Sequence, residues 1–227
     1  MATSISSKPP VVLVTGCSLG GIGYALCEAF AARGCAVYAT SRRLESMTSL
    51  THPSIHCLEM DVTSDSSVKQ CVEQIVHQAG RVDIAIANAG VPCFGKFNSD
   101  VLFAWCLNVY IEGPVLDIPI EDAKVVIDTN VLGVLRLAQA VFPHMASRKQ
   151  GMFMTIASAV TYSVGVFERS YNLATISWIV LFQVVPWAGL YCASKAAVGS
   201  LTEALQMEAR ALSPDIRVTL VMAATVR

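Results

Sequence analysis

The sequence predicts one α/β domain of three layers (α/β/α), in which helices cover both faces of a doubly wound parallel sheet. Three observations predict it. Short apolar segments alternate with longer amphipathic ones along the chain, which is the pattern of strand–helix–strand units. Hydrophobic residues make up 54% and charged residues 15% of the 227 residues, so the interior must be large. A glycine-rich stretch stands between the first apolar segment and the first amphipathic one.

The elements follow from this periodicity. The predicted strands are Val11–Thr15, Ala36–Thr40, Ile55–Met60, Ile84–Ala87, Gly151–Ile156 and Arg217–Met222. The predicted helices are Gly23–Arg33, Ser64–Gln78, Ile120–Ser147 and Tyr191–Leu212. Gly34 stands where a helix C-cap is expected, and Thr63 and Ser64 stand where an N-cap is expected. We therefore expect a flexible N-terminus at residues 1–10 and a single domain at residues 11–227.

Charge balance and cysteine spacing argue against two functional classes. The formal net charge of -1 gives no electrostatic basis for binding nucleic acid. The eight cysteines form no C-x-x-C pair and no cluster with the spacing of metal ligands. We therefore expect no metal site, and a reduced protein in the cytoplasm.

Two stretches bear on membrane insertion. Residues 1–10 lack the basic and apolar regions of a secretory signal. No Asp, Glu, Lys or Arg occurs between Arg169 and Lys195, a length that could span a bilayer. Because the end of this run contains the Tyr191 motif described below, a membrane span is the less favoured alternative. It predicts retention in membranes after a carbonate wash.

The first predicted strand ends in a glycine-rich loop, Thr15-Gly16-Cys17-Ser18-Leu19-Gly20-Gly21-Ile22-Gly23. Glycines permit a tight turn, let the backbone approach a pyrophosphate, and allow close packing of the helix on the strand. The helix that follows offers unpaired N–H groups to a phosphate. A structural turn alone would explain one or two of these glycines but not four. The arrangement is Rossmann-like and predicts a ligand beyond the carboxyl ends of the strands.

With its T-G-x(3,4)-G-x-G pattern, this loop resembles the short-chain dehydrogenase/reductase family. The second predicted strand leads into Thr40-Ser41-Arg42-Arg43, with no carboxylate for a ribose 2′-hydroxyl. A nearby arginine accommodates the 2′-phosphate of NADP instead. The sequence therefore favours NADP(H) over NAD, and the alternative is a solvated basic turn.

Two further motifs extend the resemblance. Asp61 and Val62, after the third predicted strand, resemble the family's adenine-contacting acid and its neighbour. Asn88-Ala89-Gly90, after the fourth, resembles the N-A-G turn that braces the sheet and lines the cofactor pocket. The predicted cofactor site consists of these residues, of Tyr191 and Lys195 described below, and of Gly16, Ser18, Gly20, Gly21, Ile22, Gly23, Ser41, Arg42 and Arg43.

Tyr191 and Lys195 open the last predicted helix with the spacing Tyr-x-x-x-Lys. Residues at i and i+4 share one helix face. Reduction of a ketone needs an acid that protonates the developing alkoxide, and an ordinary phenol is too weak an acid at neutral pH. A nearby ammonium favours the phenolate and moves its pKa toward the working range. Tyr191 is thus the predicted acid and base, and Lys195 is predicted to assist it and to hold the nicotinamide ribose.

The resemblance adds two more catalytic residues. Ser158, placed after the strand Gly151–Ile156, is expected to donate a hydrogen bond to the substrate carbonyl and to stabilise the oxyanion. Asn130 resembles the family's helix asparagine, which anchors a water of the proton relay. The alternative for Asn130 is a mid-helix polar residue satisfied by backbone groups.

The segments from Asn88 to Asn130 and from Ser158 to Tyr191 are longer than in the family pattern. Leaving out Lys96–Gly113 and Val164–Gln183 restores the usual spacing. The second segment begins with valine, whose codons start with GT, and ends with glutamine, which CAG encodes. Our hypothesis is therefore that both segments are translated introns. The alternative is two genuine insertions, although long loops without elements of their own are uncommon in compact domains.

The family pattern also continues beyond the sixth predicted strand, through a substrate lid, so we expect the fold to be incomplete at its C-terminus. The resemblance implies an NADPH-dependent oxidoreductase that reduces a ketone. Gly16-Cys17-Ser18, Val115-Leu116-Asp117 and Pro186–Lys195 look most like fungal acyl-dihydroxyacetone-phosphate reductases, which act on a lipid-linked ketone. The alternatives are a catalytically impaired nucleotide-binding protein on the same fold, or a mis-spliced product of such a reductase.

The expected partners follow from that activity. They are NADP(H) and a small carbonyl or alcohol substrate, without nucleic acid and without a metal. A lipid-like substrate implies a place in lipid metabolism and peripheral association with the endoplasmic reticulum or a lipid droplet. Homo-oligomers are usual in the family, but an incomplete C-terminus argues against one here.

Overall fold

The computed structural model describes residues 8–92, 115–159 and 188–223. Its strands are β1 (Val11–Thr15), β2 (Ala36–Ser41), β3 (Ile55–Glu59), β4 (Ile84–Ala87), β5 (Gly151–Ser158) and β6 (Ile216–Ala223). They form one sheet in the order β3-β2-β1-β4-β5-β6, and every neighbouring pair is parallel. Because the strand order reverses between β1 and β4, the predicted doubly wound sheet is confirmed.

The described helices are α1 (Ile22–Ala31), α2 (Asp65–Ala79), α3 (Ile120–Ile127), α4 (Gly133–Arg148) and α5 (Gly189–Leu212). Short 3-10 helices lie at Leu44–Met47 and Val115–Asp117. A π-helical turn, Asp128–Leu132, joins α3 to α4. The predicted uniform helix Ile120–Ser147 is therefore wrong in one respect, since it contains a wide turn around Asn130. Such turns are frequent at functional sites.

Alternate residues of β1 show that both faces of the sheet are buried. Val11 and Leu13 pack with the apolar faces of α2, α4 and α5. Val12 and Val14 pack with α1 on the opposite face. Burial on both faces explains why the strands read as continuous apolar runs rather than as alternating patterns. The predicted three layers are confirmed.

Strand and helix ends differ from the predictions by a few residues. β5 continues to Ser158, so this serine is the last residue of the strand and does not follow it. β2 likewise ends on Ser41. Ser64 is the N-cap of α2 and accepts a hydrogen bond from the Ser67 amide. Gly34, at φ +81°, follows α1 in the left-handed region that favours glycine.

The six described cysteines are free thiols. Taken together, α3, the π-helical turn and α4 form one helical segment, Ile120–Arg148. Among the described residues, this segment is long and apolar enough to cross a membrane by length and composition alone. Within the described residues, 44% of its most apolar window is buried. The uncharged run that precedes Lys195 lies, up to residue 187, outside the described residues.

Asp83 joins the amino ends of β1, β4 and β5, at the edge of the sheet opposite the glycine loop. Its carboxylate accepts hydrogen bonds from the Val11 amide at 2.9 Å, Arg81 Nε at 2.8 Å and Arg148 Nη1 at 2.9 Å. Burial by itself raises the pKa of Asp83, but these donors outweigh it and lower the pKa below its ordinary value. The ionised carboxylate therefore stabilises the fold.

Residues 8–10 of the predicted flexible N-terminus lie against this edge. The carbonyls of Lys8 and Pro9 each accept a bond from Arg81 Nη2 at 3.2 Å. The Pro10 carbonyl accepts the Ala36 amide at 2.9 Å. Flexibility of residues 1–7 concerns a segment outside the described residues.

We predict that Asp83→Asn lowers the free energy of unfolding at neutral pH by about 2 kcal/mol, because charge-assisted bonds are lost. A depressed pKa in the folded state stabilises above the ordinary aspartate pKa, and the effect disappears as the pH falls through the folded value. The gap between variant and wild type should therefore close in acid. Urea unfolding at several pH values measures it. Asp215→Asn, an exposed site without an ion pair among the described residues, is the matched control. An equal loss in both variants would contradict the role of Asp83.

Candidate cofactor and active site

The glycine loop after β1 packs closely against the turn after β4. Gly16 has φ +73° and Gly20 has φ +80°, both in the left-handed region. A Cβ atom on Gly16 would lie 2.7 Å from Ala89 Cα. One on Gly23, in the first turn of α1, would lie 2.6 Å from Asn88 Nδ2. These two glycines therefore permit the close approach of the loop and α1 to the turn after β4. Close packing of the helix on the strand was predicted for these glycines.

Thr15 and Asn88 fasten the two chain segments together. The Thr15 hydroxyl accepts the amides of Asn88 and Ala89, both at 3.0 Å, and donates to the Ile86 carbonyl at 3.3 Å. Asn88 Nδ2 donates to the carbonyls of Thr15 at 2.8 Å and Gly16 at 3.1 Å. This bonded unit, which we call the Thr15–Asn88 tie, fixes the start of the glycine loop at the end of β1.

A cleft of about 330 Å³ opens beside the tie at the carboxyl edge of the sheet. Eleven predicted cofactor residues line it: Gly16, Ser18, Gly21, Ile22, Ser41, Arg42, Asp61, Val62, Asn88, Ala89 and Gly90. The remaining lining residues, which were not predicted as cofactor residues, are Leu19, Met60, Thr63, Val91 and Thr129. Each of these five residues is a direct neighbour in the chain of a predicted site residue. They could therefore have been predicted by extending each motif by one residue.

The end of β2 borders the cleft with polar groups only. Ser41 and Arg42 line the cleft, whereas Arg43 does not and instead precedes the 3-10 helix Leu44–Met47. Of the two candidate arginines, Arg42 is thus the one placed to meet a ligand. Asp61 Oδ1 accepts the amide of Thr63 at 2.9 Å and its hydroxyl at 2.7 Å, which fixes the carboxylate at the rim.

Lys195 is buried where the predicted catalytic residues meet. Its side chain is in α5, and Nζ donates to the Ile156 carbonyl of β5 at 3.2 Å. Nζ also lies 5.6 Å from the centroid of the Tyr191 ring. Burial lowers the pKa of Lys195 from its ordinary 10.5 to about 8. The predicted Tyr191–Lys195 pair is thus brought together, and Ser158 ends the same strand two residues beyond Ile156.

Gly90 links the lysine to the cleft. It lines the cleft, and a Cβ atom on it would lie 3.7 Å from Lys195 Nζ and 3.3 Å from Asn130 Oδ1. The lysine and the asparagine therefore lie directly behind the turn that follows β4.

Asn130, in the π-helical turn, bonds across the site. Its Oδ1 accepts the Val91 amide at 2.8 Å, and its Nδ2 donates to the Val91 carbonyl and the Ser194 hydroxyl, both at 3.0 Å. The Ser194 hydroxyl donates in turn to the Tyr191 carbonyl at 2.7 Å. The side chain of Asn130 thus connects the cleft wall to the first turn of α5. A role in anchoring a water stays a prediction.

Arg136 holds the π-helical turn and was missed by sequence reasoning. Its guanidinium contacts Asp65, pairs with Asp128 at 2.7 Å, and donates to the Val62 carbonyl at 3.3 Å. Gly133 lets the turn approach Val62, since a Cβ atom there would lie 3.0 Å from Val62 Cγ2. A half-buried arginine among acidic residues on separate elements has no local sequence signature.

Among the described residues, the remaining predictions are placed as follows. Gly20 and Gly23 shape the loop and first turn of α1 without lining the cleft. No group of three or more potential metal ligands occurs among the described residues. The two predicted inserts, Lys96–Gly113 and Val164–Gln183, lie outside the described residues, and so does most of the stretch between Ser158 and Tyr191.

This geometry agrees with a known family. The profile described as short chain dehydrogenase matches residues 10–174, most of the chain. The chain belongs to this family. The resemblance stated from the motifs is therefore confirmed.

Two curated relatives illustrate the likeness. The NADPH-dependent 1-acyldihydroxyacetone phosphate reductase of Schizosaccharomyces pombe is 37% identical over 163 residues, covering 71% of this chain and 48% of that protein. The 3-ketodihydrosphingosine reductase of Bacteroides thetaiotaomicron is 30% identical over 201 residues, covering 88% and 59%. The chain spans about half the length of the curated relatives it matches.

Solved structures share the fold. A short-chain dehydrogenase from Streptomyces avermitilis is 25% identical with a TM-score of 0.75, covering 98% of this chain and 68% of that one. A metagenomic short-chain oxidoreductase in complex with NADP is 23% identical with a TM-score of 0.74, covering 98% and 86%. At that identity the second likeness shows the fold alone.

We predict that Thr15→Val lowers the free energy of unfolding by roughly 2–4 kcal/mol, because two amides lose their acceptor at a buried position. The valine has nearly the same shape, so packing is preserved. Thr155→Val is the matched control. Thr155 is fully buried, and its hydroxyl has no hydrogen-bond partner among the described residues.

The control variant is expected to be as stable as wild type or slightly more stable. Chemical denaturation of the three proteins measures the difference. Equal stability of Thr15→Val and Thr155→Val would show that the tie does not hold the loop.

Proposed function

We propose that this chain carries the cofactor-binding and catalytic part of an NADPH-dependent reductase that acts on the ketone of a lipid-like substrate. The observation that supports it most is the buried Lys195 beside Tyr191, directly behind the cleft wall at Gly90. Burial of an amine is costly for stability, and groups whose pKa is perturbed in this way cluster at functional sites. Membership of the short chain dehydrogenase family supports the same reading.

The cleft fits a dinucleotide phosphate. Gly16 and Gly21 present backbone without side chains at the cleft, and α1 begins beside it with no side-chain cap on its first amides. Unpaired amides at a helix start suit a pyrophosphate. At the rim, Arg42 with Ser18 and Ser41 suits a 2′-phosphate, and no carboxylate takes the place after β2. When bound there, NADPH supplies the hydride.

Tyr191 is the proposed acid that delivers a proton to the substrate oxygen. The Lys195 ammonium, 5.6 Å from its ring, stabilises the phenolate that remains and so favours proton release. Ser158, at the end of β5, is the proposed donor to the substrate carbonyl, where charge develops as the carbonyl is reduced. Asn130, through Ser194 and the Tyr191 carbonyl, holds the first turn of α5 in register.

The proposed substrate class rests on the relatives. Both enzymes described above have names that denote reduction of a lipid-like compound, an acyl-dihydroxyacetone phosphate in one and a 3-keto sphingoid base in the other. We therefore propose a ketone that bears a long acyl or alkyl chain. Acyl-dihydroxyacetone phosphate is the first compound to assay.

A location in the cytoplasm at a lipid surface goes with this substrate. Leu116 and Ile120 are 97% and 69% exposed, and Val125 is 54% exposed on α3. Exposed apolar side chains grouped in this way suit contact with lipid or with another apolar surface. Co-sedimentation with vesicles of endoplasmic-reticulum lipids tests it.

The second candidate is a nucleotide-binding protein without catalysis. It would retain the cleft and its glycine loop, and Tyr191 would then be dispensable. The two candidates differ in what happens to turnover, rather than to cofactor affinity, when the phenol is removed.

We predict that Tyr191→Phe lowers kcat for carbonyl reduction by at least about a hundredfold, the scale of general acid catalysis. The Kd for NADPH should change by less than about twofold, since no phosphate contact is removed. Tyr24→Phe, on α1, is the control and should leave both values unchanged. Turnover that survives Tyr191→Phe would favour the second candidate. NADPH oxidation and NADPH fluorescence titration provide the two readouts.

We predict that Lys195→Met abolishes turnover but stabilises the fold at pH 7, by up to about 3 kcal/mol, because burial of the ammonium is avoided. Between the folded pKa of about 8 and the ordinary 10.5, the unfolded state binds more protons. The free energy of unfolding of wild type should therefore rise across that pH range, and the difference between the variant and wild type should close. The exposed Lys69→Met is the control. A less stable Lys195→Met variant at pH 7 would contradict the desolvation cost.

A further inference from the structure

Three serine hydroxyls meet at the edge of the cleft. Ser46 Oγ, from the 3-10 helix Leu44–Met47, lies 2.9 Å from Ser41 Oγ and 3.2 Å from Ser18 Oγ. The Ser18 and Ser41 hydroxyls are 3.3 Å apart. Ser18 and Ser41 line the cleft, and Ser46 does not. Ser46 therefore contacts both cleft hydroxyls from behind.

Ser46 is itself held in place. Its hydroxyl donates to the Arg43 carbonyl at 2.7 Å, and its amide donates to the same carbonyl at 3.2 Å. Its own carbonyl accepts the amide of Leu19, in the glycine loop, at 2.9 Å. One residue thus bonds the glycine loop, the end of β2 and the turn that follows Arg42.

From this arrangement we propose that Ser46 is a positioning residue that sets the preference for a nucleotide bearing a 2′-phosphate. The inference rests on the proposed function, because it assumes that a nucleotide binds in the cleft. Since the Ser46 hydroxyl donates to Arg43, its oxygen is an acceptor for Ser18 and Ser41. Both serine hydroxyls then donate to the Ser46 oxygen, which fixes the orientation of each side chain beside Arg42. A phosphate that binds there accepts these two hydrogens in place of Ser46.

The same bonds also hold the backbone that carries Arg42. The turn Arg43–Ser46 closes directly behind it, so the backbone that presents the guanidinium is fastened through Ser46. A preorganised set of two hydroxyls and one guanidinium loses little entropy when a phosphate binds. Without the Ser46 hydroxyl, the two serine side chains and the turn would lose these side-chain bonds and would have more freedom to lose when the ligand binds.

The test compares 2′,5′-ADP with 5′-AMP, which differ only in the 2′-phosphate, by calorimetric titration of the full chain. Ser46→Ala should weaken binding of 2′,5′-ADP roughly fivefold, the effect of about one hydrogen bond. Binding of 5′-AMP should change by less than about twofold. Ser46→Thr keeps the hydroxyl and should keep the preference.

Thr48→Ala is the matched control, because its exposed hydroxyl bonds only the Glu45 carbonyl among the described residues. A loss of preference in Thr48→Ala equal to that in Ser46→Ala would show that the turn, rather than the hydroxyl, matters, and would overturn the inference. An unchanged preference in Ser46→Ala would overturn it as well. If wild type binds both nucleotides equally, the proposed NADP preference fails first, and the inference falls with it.

Discussion

The tie between Thr15 and Asn88 is the interaction on which the site depends. β1 and β4 are neighbours at the point where the strand order reverses, and a crevice opens there because the connections leave in opposite directions. The crevice can hold a ligand only if its walls are fixed. The Thr15 hydroxyl and the Asn88 amide fix them by taking up the backbone groups that the strand ends leave unpaired. Gly16 and Gly23 then allow the loop and α1 to lie within contact of that tie.

The two edges of the sheet differ in how well their buried charges are compensated. At the amino edge of the strands, Asp83 gathers two arginines and a backbone amide, and the charges compensate one another. At the carboxyl edge, Lys195 is buried with a carbonyl and a phenol as neighbours, so its charge is poorly compensated. Asn130 and Arg136 supply the rigidity that such a site needs, one through Val91 and Ser194, the other through Val62 and Asp128.

The sequence predicted the sheet, its layers and most of the cleft, because these depend on local patterns. Apolar runs mark strands, and glycines mark the loop after β1, so Gly16 and its neighbours could be placed by position. Asn88 and its neighbours were placed by their resemblance to the family's N-A-G turn. Contacts between distant segments were not predictable. The π-helical turn at Asn130, the Arg136 bonds and the contact of Ser46 with Ser18 depend on the packing of side chains far apart in the chain. The hypothesis that the two long segments are translated introns stays a prediction, which sequencing of the transcript decides.

The central claim is that the cleft beside the Thr15–Asn88 tie binds NADP(H). Hydrogen exchange of the intact chain, measured by mass spectrometry with and without NADPH, tests it most directly. The account predicts slower exchange in segments 16–23, 41–46 and 88–91, with no change in the Asp83 cluster at the opposite edge. Unchanged exchange in the glycine loop, or protection confined to other segments, would contradict it.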